Sequence, residues 1–305
     1  FYGDYCTGRI WGLRRNGTVW ENTLLLDTPF LITSFGEDEA GQLYMADYNS
    51  GSVYRIMVQP LVADDFDGDL STDFASLNVL GQIFYTTNLS AFANVSGVLS
   101  QLVSGDFNGD GSADLAGLAS DGTIWVSTDL LTWGNIPGLL SQLMVGDFNA
   151  DGNDDLAGLA SDGSIWFTTN LSTWTKVPGA LAQLVSGNFN SSRPGDELAG
   201  LALDGSIWVS TDLLTWVNVP GLLNELVVGD FNADGNNDLA GLASNGSIWF
   251  TTNLSTWINI PGTLTNLVSG NFNGVSPDDL VGLAMDESLW LTTNLLNWTN
   301  LGQLP

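Results

Sequence analysis

The 305-residue sequence contains no histidine, one cysteine and only six lysine and arginine residues. The missing histidine removes the usual general base near neutral pH and the commonest nitrogen ligand of metals. Cys6 has no partner for an internal disulfide, so the cysteine content indicates neither a reducing nor an oxidising compartment. The 34 acidic residues give a net charge of −28, which excludes the basic surface that nucleic-acid binding needs. No apolar run of about 18 residues is present, so we expect no membrane insertion.

Gly, Thr, Asn and Trp are plentiful while Lys and Glu are scarce, which favours an all-β chain. A ten-residue acidic stretch, residues 106–115, recurs along the chain at intervals of 41 or 42 residues. The phenylalanine at its second position marks each copy: Phe66, Phe107, Phe148, Phe189, Phe231 and Phe272. A fixed period of this size is typical of a repeat architecture.

The acidic stretch has the chemistry of a loop that binds a hard cation. Its positions 1, 3, 5 and 9 are Asp106, Asn108, Asp110 and Asp114, and alternate side chains of a tight loop can converge on one point. Calcium takes about six to eight oxygen ligands. The loop resembles the first half of an EF-hand but has Gly117 where the EF-hand has its acid at position 12. Because no helix signal flanks it, we predict a calcium loop between two strands.

Three further copies keep this pattern of oxygen-bearing residues. They are Asp65, Asp67, Asp69 and Asp73; Asp147, Asn149, Asp151 and Asp155; and Asp230, Asn232, Asp234 and Asp238. The copies at 188–197 and 271–279 are degraded, the first by an inserted residue and an arginine, the second by loss of the acid at position 5. We therefore expect about four calcium ions. The alternative is that Asp, Asn and Gly only form turns here and bind nothing.

Each repeat reads as four short strands, which for residues 101–140 fall at 101–105, 115–119, 123–127 and 132–136. Four strands in about 41 residues are typical of a β-propeller blade. The second strand is apolar at successive positions, which indicates burial on both faces between neighbouring blades. Six repeats predict six blades.

The acidic loop followed by Leu-Ala-Gly-Leu, as at residues 115–118, resembles the FG-GAP (VCBS) repeat. That repeat occurs in integrin α-chain propellers, bacterial surface proteins and fungal lectins, and the resemblance covers six units from residue 61 onward. It implies structural calcium sites on one side of the blades, with contacts to proteins or sugars elsewhere on the ring.

Residues 1–57 differ from the rest because they hold four of the six basic residues. We place a domain boundary near residues 57–61, separating 1–57 from the repeats at 58–305. Residues 3–11, 35–48 and 53–56 resemble the C-terminal end of soluble aldose (glucose/sorbosone) dehydrogenases that use pyrroloquinoline quinone (PQQ). That family is a six-bladed propeller with a catalytic histidine. Since this sequence has none, the resemblance implies ancestry or a parent protein and assigns no catalytic or cofactor-binding residue.

A hairpin at residues 12–20 aligns without gaps on residues 117–125 of a repeat. This similarity predicts that residues 1–57 add a seventh blade. The alternative is that they belong to an upstream propeller, which leaves six blades.

Each full repeat also carries two tryptophans, and the second follows a threonine near a blade edge. These residues are candidates for stacking against a ligand: Trp133, Trp174, Trp216 and Trp257. The alternative is that the rings fill space between blades. Eight Asn-x-Ser/Thr sequons mark glycosylation sites if the protein is secreted by a eukaryote, and otherwise reflect composition: Asn16, Asn88, Asn94, Asn170, Asn190, Asn245, Asn253 and Asn297.

These features predict a calcium-stabilised binding or adhesion module that recognises a glycan or a protein. We expect it outside the cell or at the cell surface, with the periplasm as the alternative. A second hypothesis is an accessory domain of a PQQ-dependent dehydrogenase whose catalytic part lies upstream. A hydrolase is disfavoured because carboxylates that ligate a metal are not available for acid–base catalysis, so we expect no enzyme activity in this chain.

Overall fold

The computed structural model describes residues 2–16, 19–28, 30–37, 43–56, 61–78, 81–87 and 92–303. All regular elements of this part of the chain are β-strands, and it has no helix that could cross a membrane. The expected domain boundary at 57–60 and the sequon at Asn88 lie outside the described residues.

The N-terminal segment forms two three-stranded antiparallel sheets. Their strands are β1 (Tyr2–Gly3), β2 (Arg9–Asn16), β3 (Val19–Asp27), β4 (Ile32–Glu37), β5 (Leu43–Asp47) and β6 (Val53–Ile56). Ile10, Ile32 and Met45 form a small core between the sheets. Among the described residues neither sheet has the four strands of a repeat blade, and whether residues 1–57 add a seventh blade stays a prediction. The chain leaves the first sheet at Thr28, which donates to the carbonyl of Gly8, and then starts a separate sheet at Ile32.

Six four-stranded antiparallel sheets follow, one for each repeat. Blades 1 and 2 consist of β7 (Leu61–Asp64), β8 (Asp73–Leu77), β9 (Gln82–Thr86) and β10 (Ala93–Val98), then β11 (Gln101–Gly105), β12 (Asp114–Leu118), β13 (Thr123–Ser127) and β14 (Gly134–Leu139). Blades 3 and 4 consist of β15 (Gln142–Gly146), β16 (Asp155–Leu159), β17 (Ser164–Thr168) and β18 (Thr175–Ala180), then β19 (Gln183–Gly187), β20 (Glu197–Leu201), β21 (Ser206–Ser210) and β22 (Val217–Leu222). Blades 5 and 6 consist of β23 (Glu225–Gly229), β24 (Asp238–Leu242), β25 (Ser247–Thr251) and β26 (Ile258–Thr263), then β27 (Asn266–Gly270), β28 (Asp279–Leu283), β29 (Ser288–Thr292) and β30 (Thr299–Gln303).

The first strands of consecutive blades pack against one another from β7 to β27, and the chain forms a six-bladed β-propeller. Burial falls from the inner strands to the outer ones. In blade 2 every residue of β12 is buried, whereas β14 exposes all its residues except Ile136. This confirms that the second strand lies between neighbouring blades. The outer strand lies at 134–139 and not at the predicted 132–136, because β14 begins at Gly134 and continues through Pro137 and Gly138 with a register shift, as an edge strand allows.

The glycine of each Leu-Ala-Gly-Leu motif is required by the close approach of the first and second strands. A Cβ atom on Gly158 would lie 2.2 Å from the carbonyl oxygen of Gln142 and 2.7 Å from Cδ1 of Leu140. Neither a backbone oxygen nor a packed leucine can retreat that far. The glycine of the motif is therefore needed because the first and second strands of a blade lie too close together for a side chain.

The outward faces of the first and last blades expose two residues whose equivalents in the other blades are buried. Phe272 of blade 6 is 51% exposed, while the equivalent phenylalanine of the other blades is between 2% and 8% exposed. At the other end, Leu61 of blade 1 is 64% exposed, whereas the equivalent leucine of later blades is at most 3% exposed. In the interior interfaces these two positions meet, as Phe107 and Leu143 do.

Candidate functional site

The acidic loops connect the first and second strands of each blade, and their ninth position is the first residue of the second strand. In blade 2 this residue is Asp114, which pairs with Gly105 in the sheet and is 3% exposed. Its Oδ2 accepts a hydrogen bond from the N–H of Phe107, 3.0 Å away. The same bond from the loop phenylalanine reaches the ninth-position carboxylate of every other blade: Asp73, Asp155, Glu197, Asp238 and Asp279.

The first position of each intact loop folds the loop backbone around one carboxylate. Oδ1 of Asp106 accepts from the N–H of Gly109 at 2.7 Å, and Oδ2 accepts from the N–H of Gly111 at 2.8 Å. The third and fifth side chains turn inward in the same way, since Oδ1 of Asn108 accepts from Asp110 and Oδ1 of Asp110 accepts from Ser112. The loop thereby gathers four oxygen-bearing side chains on a short segment.

Blade 1 has an aspartate at position 3 as well, and here the convergence of carboxylates is direct. One oxygen from each of Asp65, Asp67 and Asp73 lies within 4.8 Å of the other two. Such an all-oxygen set suits Ca²⁺, which takes oxygen ligands at about 2.3–2.6 Å. The structure places the side chains predicted for blades 2, 3 and 5 in the same kind of loop. Among the described residues three carboxylates converge in this way in blade 1 alone, and blades 2, 3 and 5 have asparagine at position 3.

The electrostatics of the loops also favour a bound cation. Burial raises the pKa of Asp114, Asp155 and Asp238 to about 7, and neighbouring loop carboxylates add to the rise, while the hydrogen bond from the phenylalanine N–H opposes it. Burial likewise raises the pKa of Asp73. A cation placed among these oxygens would stabilise their ionised forms.

The degraded loop of blade 4 carries its own cation. Nη1 of Arg193 lies 3.9 Å from Oε1 of Glu197, whose side chain is fully buried. The guanidinium also donates to the carbonyl oxygens of Phe148, in the loop of blade 3, and of Asp196. The buried carboxylate of this loop therefore has an arginine side chain of the same loop as its neighbour.

The degraded loop of blade 6 satisfies its buried carboxylate by hydrogen bonds. The N–H of Asn273 donates to Oδ2 of Asp279, and its side-chain amide donates to Oδ1 at 3.0 Å. Val275 occupies position 5 and Asn271 position 1, so this loop lacks two of the carboxylates of the intact pattern.

The loop residue just before the buried acid, which sequence reasoning missed, ties the loops of blades 3 to 6 to the loop of the preceding blade. Oδ2 of Asp154 accepts from the N–H of Asp106 at 2.9 Å, and the N–H of Asp154 donates to the carbonyl of Asp106 at 2.8 Å. Further pairs repeat this reciprocal clamp: Asp196 with Asp147, Asn237 with Asn188, and Asp278 with Asp230. The recurrence of Asp or Asn at this position, just before the ninth-position acid, was the available signal.

Removing the clamp side chain is expected to destabilise the protein. Asp154→Ala leaves the N–H of Asp106 without its acceptor and should cost about 1–2 kcal/mol. Asp154→Asn should cost much less, because Asn237 makes the same clamp in blade 5 with its Oδ1, 2.8 Å from the N–H of Asn188. Thermal unfolding of both variants measures the difference, and equal melting temperatures for the two would contradict the assignment.

The second tryptophan of each repeat, predicted to stack against a ligand, lies against the outer strand of the preceding blade. A Cβ atom on Gly179 would be 3.4 Å from Nε1 of Trp216, and this Nε1 donates to the carbonyl of Pro178. Trp133, Trp174 and Trp257 are placed equivalently, on Gly97, Gly138 and Gly221. The rings are half-buried, so they fill space between blades, and whether they also stack against a ligand stays a prediction.

Three clefts open between consecutive blades at the strand ends opposite to the acidic loops. Their volumes are about 500 Å³ between blades 1 and 2, about 890 Å³ between blades 3 and 4, and about 380 Å³ between blades 5 and 6. Both tryptophans of the later blade line each cleft: Trp125 and Trp133, Trp208 and Trp216, and Trp290 and Trp298. An acidic residue of the turn between the second and third strands lies beside them: Asp121, Asp204 and Asp286.

Comparison with known proteins shows the fold alone. No family model and no curated protein matches the sequence. Among solved structures, BBS1N in complex with ARL6DN is similar over 79% of this chain and 80% of that chain, with a TM-score of 0.58 and 12% identity.

Two other propellers show how varied the similar structures are. Streptogramin B lyase covers 92% of this chain and 85% of its own length, with a TM-score of 0.55 and 11% identity. The SapL1 lectin in complex with alpha methyl fucoside covers 80% and 96%, with a TM-score of 0.51 and 10% identity. These similar structures therefore include a protein complex, a lyase and a lectin.

Proposed function

We propose that this chain is a calcium-stabilised extracellular binding module that recognises a glycan or a protein partner. The observation that carries the proposal is the convergence of Asp65, Asp67 and Asp73 within 4.8 Å, in a loop whose pattern recurs in blades 2, 3 and 5. Calcium would be held by the four intact loops and would neutralise their crowded carboxylates. The resemblance to FG-GAP repeats supports the same assignment.

The clefts and the outer strands between the blades provide the proposed recognition surface. Two similar structures were solved with a partner, one with a protein and one with a fucoside, and such partners are consistent with a binding module, while a third is a lyase. The carboxylates gathered in the loops act as metal ligands in this proposal and do no acid–base chemistry. We therefore propose no reaction for this chain.

A second candidate is an accessory domain of a PQQ-dependent aldose dehydrogenase, with a boundary at 57–58 between the two parts. The observation that favours it is the separate core of the N-terminal sheets, formed by Ile10, Ile32 and Met45. Two small sheets with their own core suit the last two blades of another propeller better than a seventh blade of this one.

Binding to an array of glycans, and to a panel of secreted proteins, tests the first candidate in 2 mM calcium and again after chelation. We expect retention of at least one ligand in calcium, loss of that retention after chelation, and no product released from any glycan. Hydrolysis of a retained glycan, or no retention of any ligand by the calcium-loaded protein, would contradict the proposed function.

A further inference from the structure

The clefts between blades 1 and 2, blades 3 and 4, and blades 5 and 6 are built in the same way. Their central residue is the first tryptophan of blades 2, 4 and 6: Trp125, Trp208 and Trp290, spaced by 83 and 82 residues. The segment at the end of the third strand differs among these blades, since blades 2 and 4 read Ser-Thr-Asp-Leu-Leu and blade 6 reads Thr-Thr-Asn-Leu-Leu. The feature that the three clefts share is therefore the tryptophan pair and the turn aspartate of the later blade.

Each cleft holds an indole ring and a carboxylate in a fixed relation. In blade 4, Nε1 of Trp208 donates to Oγ of Ser206 at 2.9 Å, and this hydroxyl donates to Oδ1 of Asp204 at 2.6 Å. Blade 2 repeats the arrangement with Trp125, Thr123 and Asp121 at 3.0 and 2.7 Å. Hydrogen bonds from Ser206 and Thr123 hold the pKa of Asp204 and of Asp121 below the usual range. These carboxylates stay negative beside the ring.

Blade 3 shows what this combination of groups accepts. Lys176 is the cross-strand partner of Trp166, and its Nζ lies over the indole ring, 5.5 Å from the centroid. Hydrogen bonds from Ser164 lower the pKa of Asp162 in the adjacent turn, and the charge of Lys176 contributes to the lowering. An ammonium ion of the chain itself thus occupies the position beside the indole and the carboxylate in this blade.

The other blades differ from blade 3 in ways that predict which of them can take an external ammonium ion. Blades 2, 4 and 6 keep the tryptophan and the aspartate but have asparagine in place of Lys176: Asn135, Asn218 and Asn300. The amides of Asn135 and Asn218 donate to backbone carbonyls of the neighbouring strand. Blade 5 has Asn245 in place of the aspartate, and blade 1 has Phe84 in place of the tryptophan. The tryptophan and the aspartate without a built-in lysine therefore occur together in blades 2, 4 and 6, whose tryptophans line the clefts.

We propose that the clefts at blades 2, 4 and 6 each bind an organic ammonium ion, either the side chain of a lysine on a partner protein or a small quaternary ammonium compound. This rests on the proposed binding function and specifies the chemistry of the partner. An indole face attracts such cations, and the adjacent aspartate supplies the opposite charge. The net charge of −28 raises the local concentration of any cationic partner.

The test is a titration of the calcium-loaded protein, followed by NMR of the twelve indole N–H groups. The probes are tetramethylammonium chloride and Nα-acetyl-lysine methylamide, and resonances are assigned with single Trp→Phe variants. We expect both probes to shift the resonances of Trp125, Trp208 and Trp290, whereas sodium chloride at equal ionic strength and Nα-acetyl-norleucine methylamide do not. Tighter binding of the lysine probe identifies a protein partner, and tighter binding of tetramethylammonium identifies a small quaternary ligand.

Two substitutions exchange the residues that differ between blades 3 and 4, Lys176 and Asn218, and serve as matched controls. Lys176→Asn should make Trp166 respond as a fourth site. Asn218→Lys should abolish the response of Trp208 and leave Trp125 and Trp290 unchanged. Asp204→Asn should weaken binding at Trp208 by about fivefold, because the opposite charge beside the ring is lost. Each new residue is native to an equivalent blade, and unchanged melting temperatures verify the fold.

Several results would overturn the ammonium sites. They are unmoved resonances at all three tryptophans, a response of Trp208 that survives Asn218→Lys, and shifts caused by methyl fucoside but not by the ammonium probes. If the array experiment still shows calcium-dependent retention, the binding function stands and only the cleft assignment fails. If the tryptophans respond but no glycan or protein is retained, the binding function fails instead.

Discussion

Chelation of calcium is expected to lower the melting temperature of this protein more than any single substitution would. An ion present at 100 times its dissociation constant stabilises the fold by about 2.7 kcal/mol, so four occupied loops contribute on the order of 10 kcal/mol. Without the ions, carboxylates such as Asp65, Asp67 and Asp73 stay crowded within 4.8 Å. Differential scanning calorimetry in 2 mM calcium and in excess EGTA measures the change.

Calorimetric titration of the metal-free protein adds a count of the sites, which we expect to be about four. Asp234→Asn removes the fifth-position carboxylate of blade 5 and should reduce the count by one. Val275→Asn at the same position of the degraded loop of blade 6 is the matched control and should leave the count unchanged. An unchanged melting temperature in EGTA would contradict both the metal loops and the stability that depends on them.

The effect of calcium should also depend on pH. In the metal-free fold the pKa of Asp114, Asp155 and Asp238 rises from 3.8 to about 7, so these groups bind protons more tightly when folded than when unfolded. The metal-free protein should therefore lose stability as pH rises from about 4 to above 7. Calcium requires the ionised form, so its stabilising increment should be larger at pH 8 than at pH 5.5. Melting curves at both pH values check the sign.

Gly158→Ala is expected to have the largest effect of any single substitution at the repeat motif. The added methyl group would lie 2.2 Å from the carbonyl oxygen of Gln142, inside a pair of strands that are buried on both sides. Either the two inner strands separate or the blade shifts against its neighbour, so we expect a loss of about 3 kcal/mol or more.

Gly134→Ala is the control for this substitution. Gly134 also lies in a strand, but it is exposed, and a Cβ atom there would have Val126 O at 3.8 Å as its nearest contact. Alanine should be tolerated or slightly favourable at such a site. Thermal and urea unfolding of the two variants compares them directly, and a Gly158→Ala protein as stable as the Gly134→Ala protein would show that the strand spacing is not tight.

The sequence predicted the blades well because their period and their burial pattern share one cause. A strand that is apolar at successive positions, such as residues 115–119, is buried on both faces only between two neighbouring blades. The acidic loops were predictable for a similar reason, since their oxygen-bearing side chains are close in sequence. Local chemistry and regular repetition were both visible in the residue order.

Contacts between blades could not be predicted in the same way. The clamp of Asp154 on Asp106 joins residues 48 positions apart, and only the fold brings them together. The role of Arg193 depends on a fully buried Glu197 and on a carbonyl of the preceding blade, so its residue type suggested only degradation. The seventh blade stays a prediction, because the match at residues 12–20 concerns one pair of strands only, and the described part of the segment forms two three-stranded sheets.

The clamps imply that the loops of neighbouring blades should not fill with metal independently. Asp154 belongs to the loop of blade 3 yet bonds the backbone of the first residue in the loop of blade 2, so ordering one loop prepares the next. The guanidinium of Arg193 already fixes the loop of blade 4 and reaches the carbonyl of Phe148 in blade 3. We therefore expect calcium uptake to be cooperative and to start at the loop of blade 3, because the loop of blade 4, already ordered by Arg193, holds it in place.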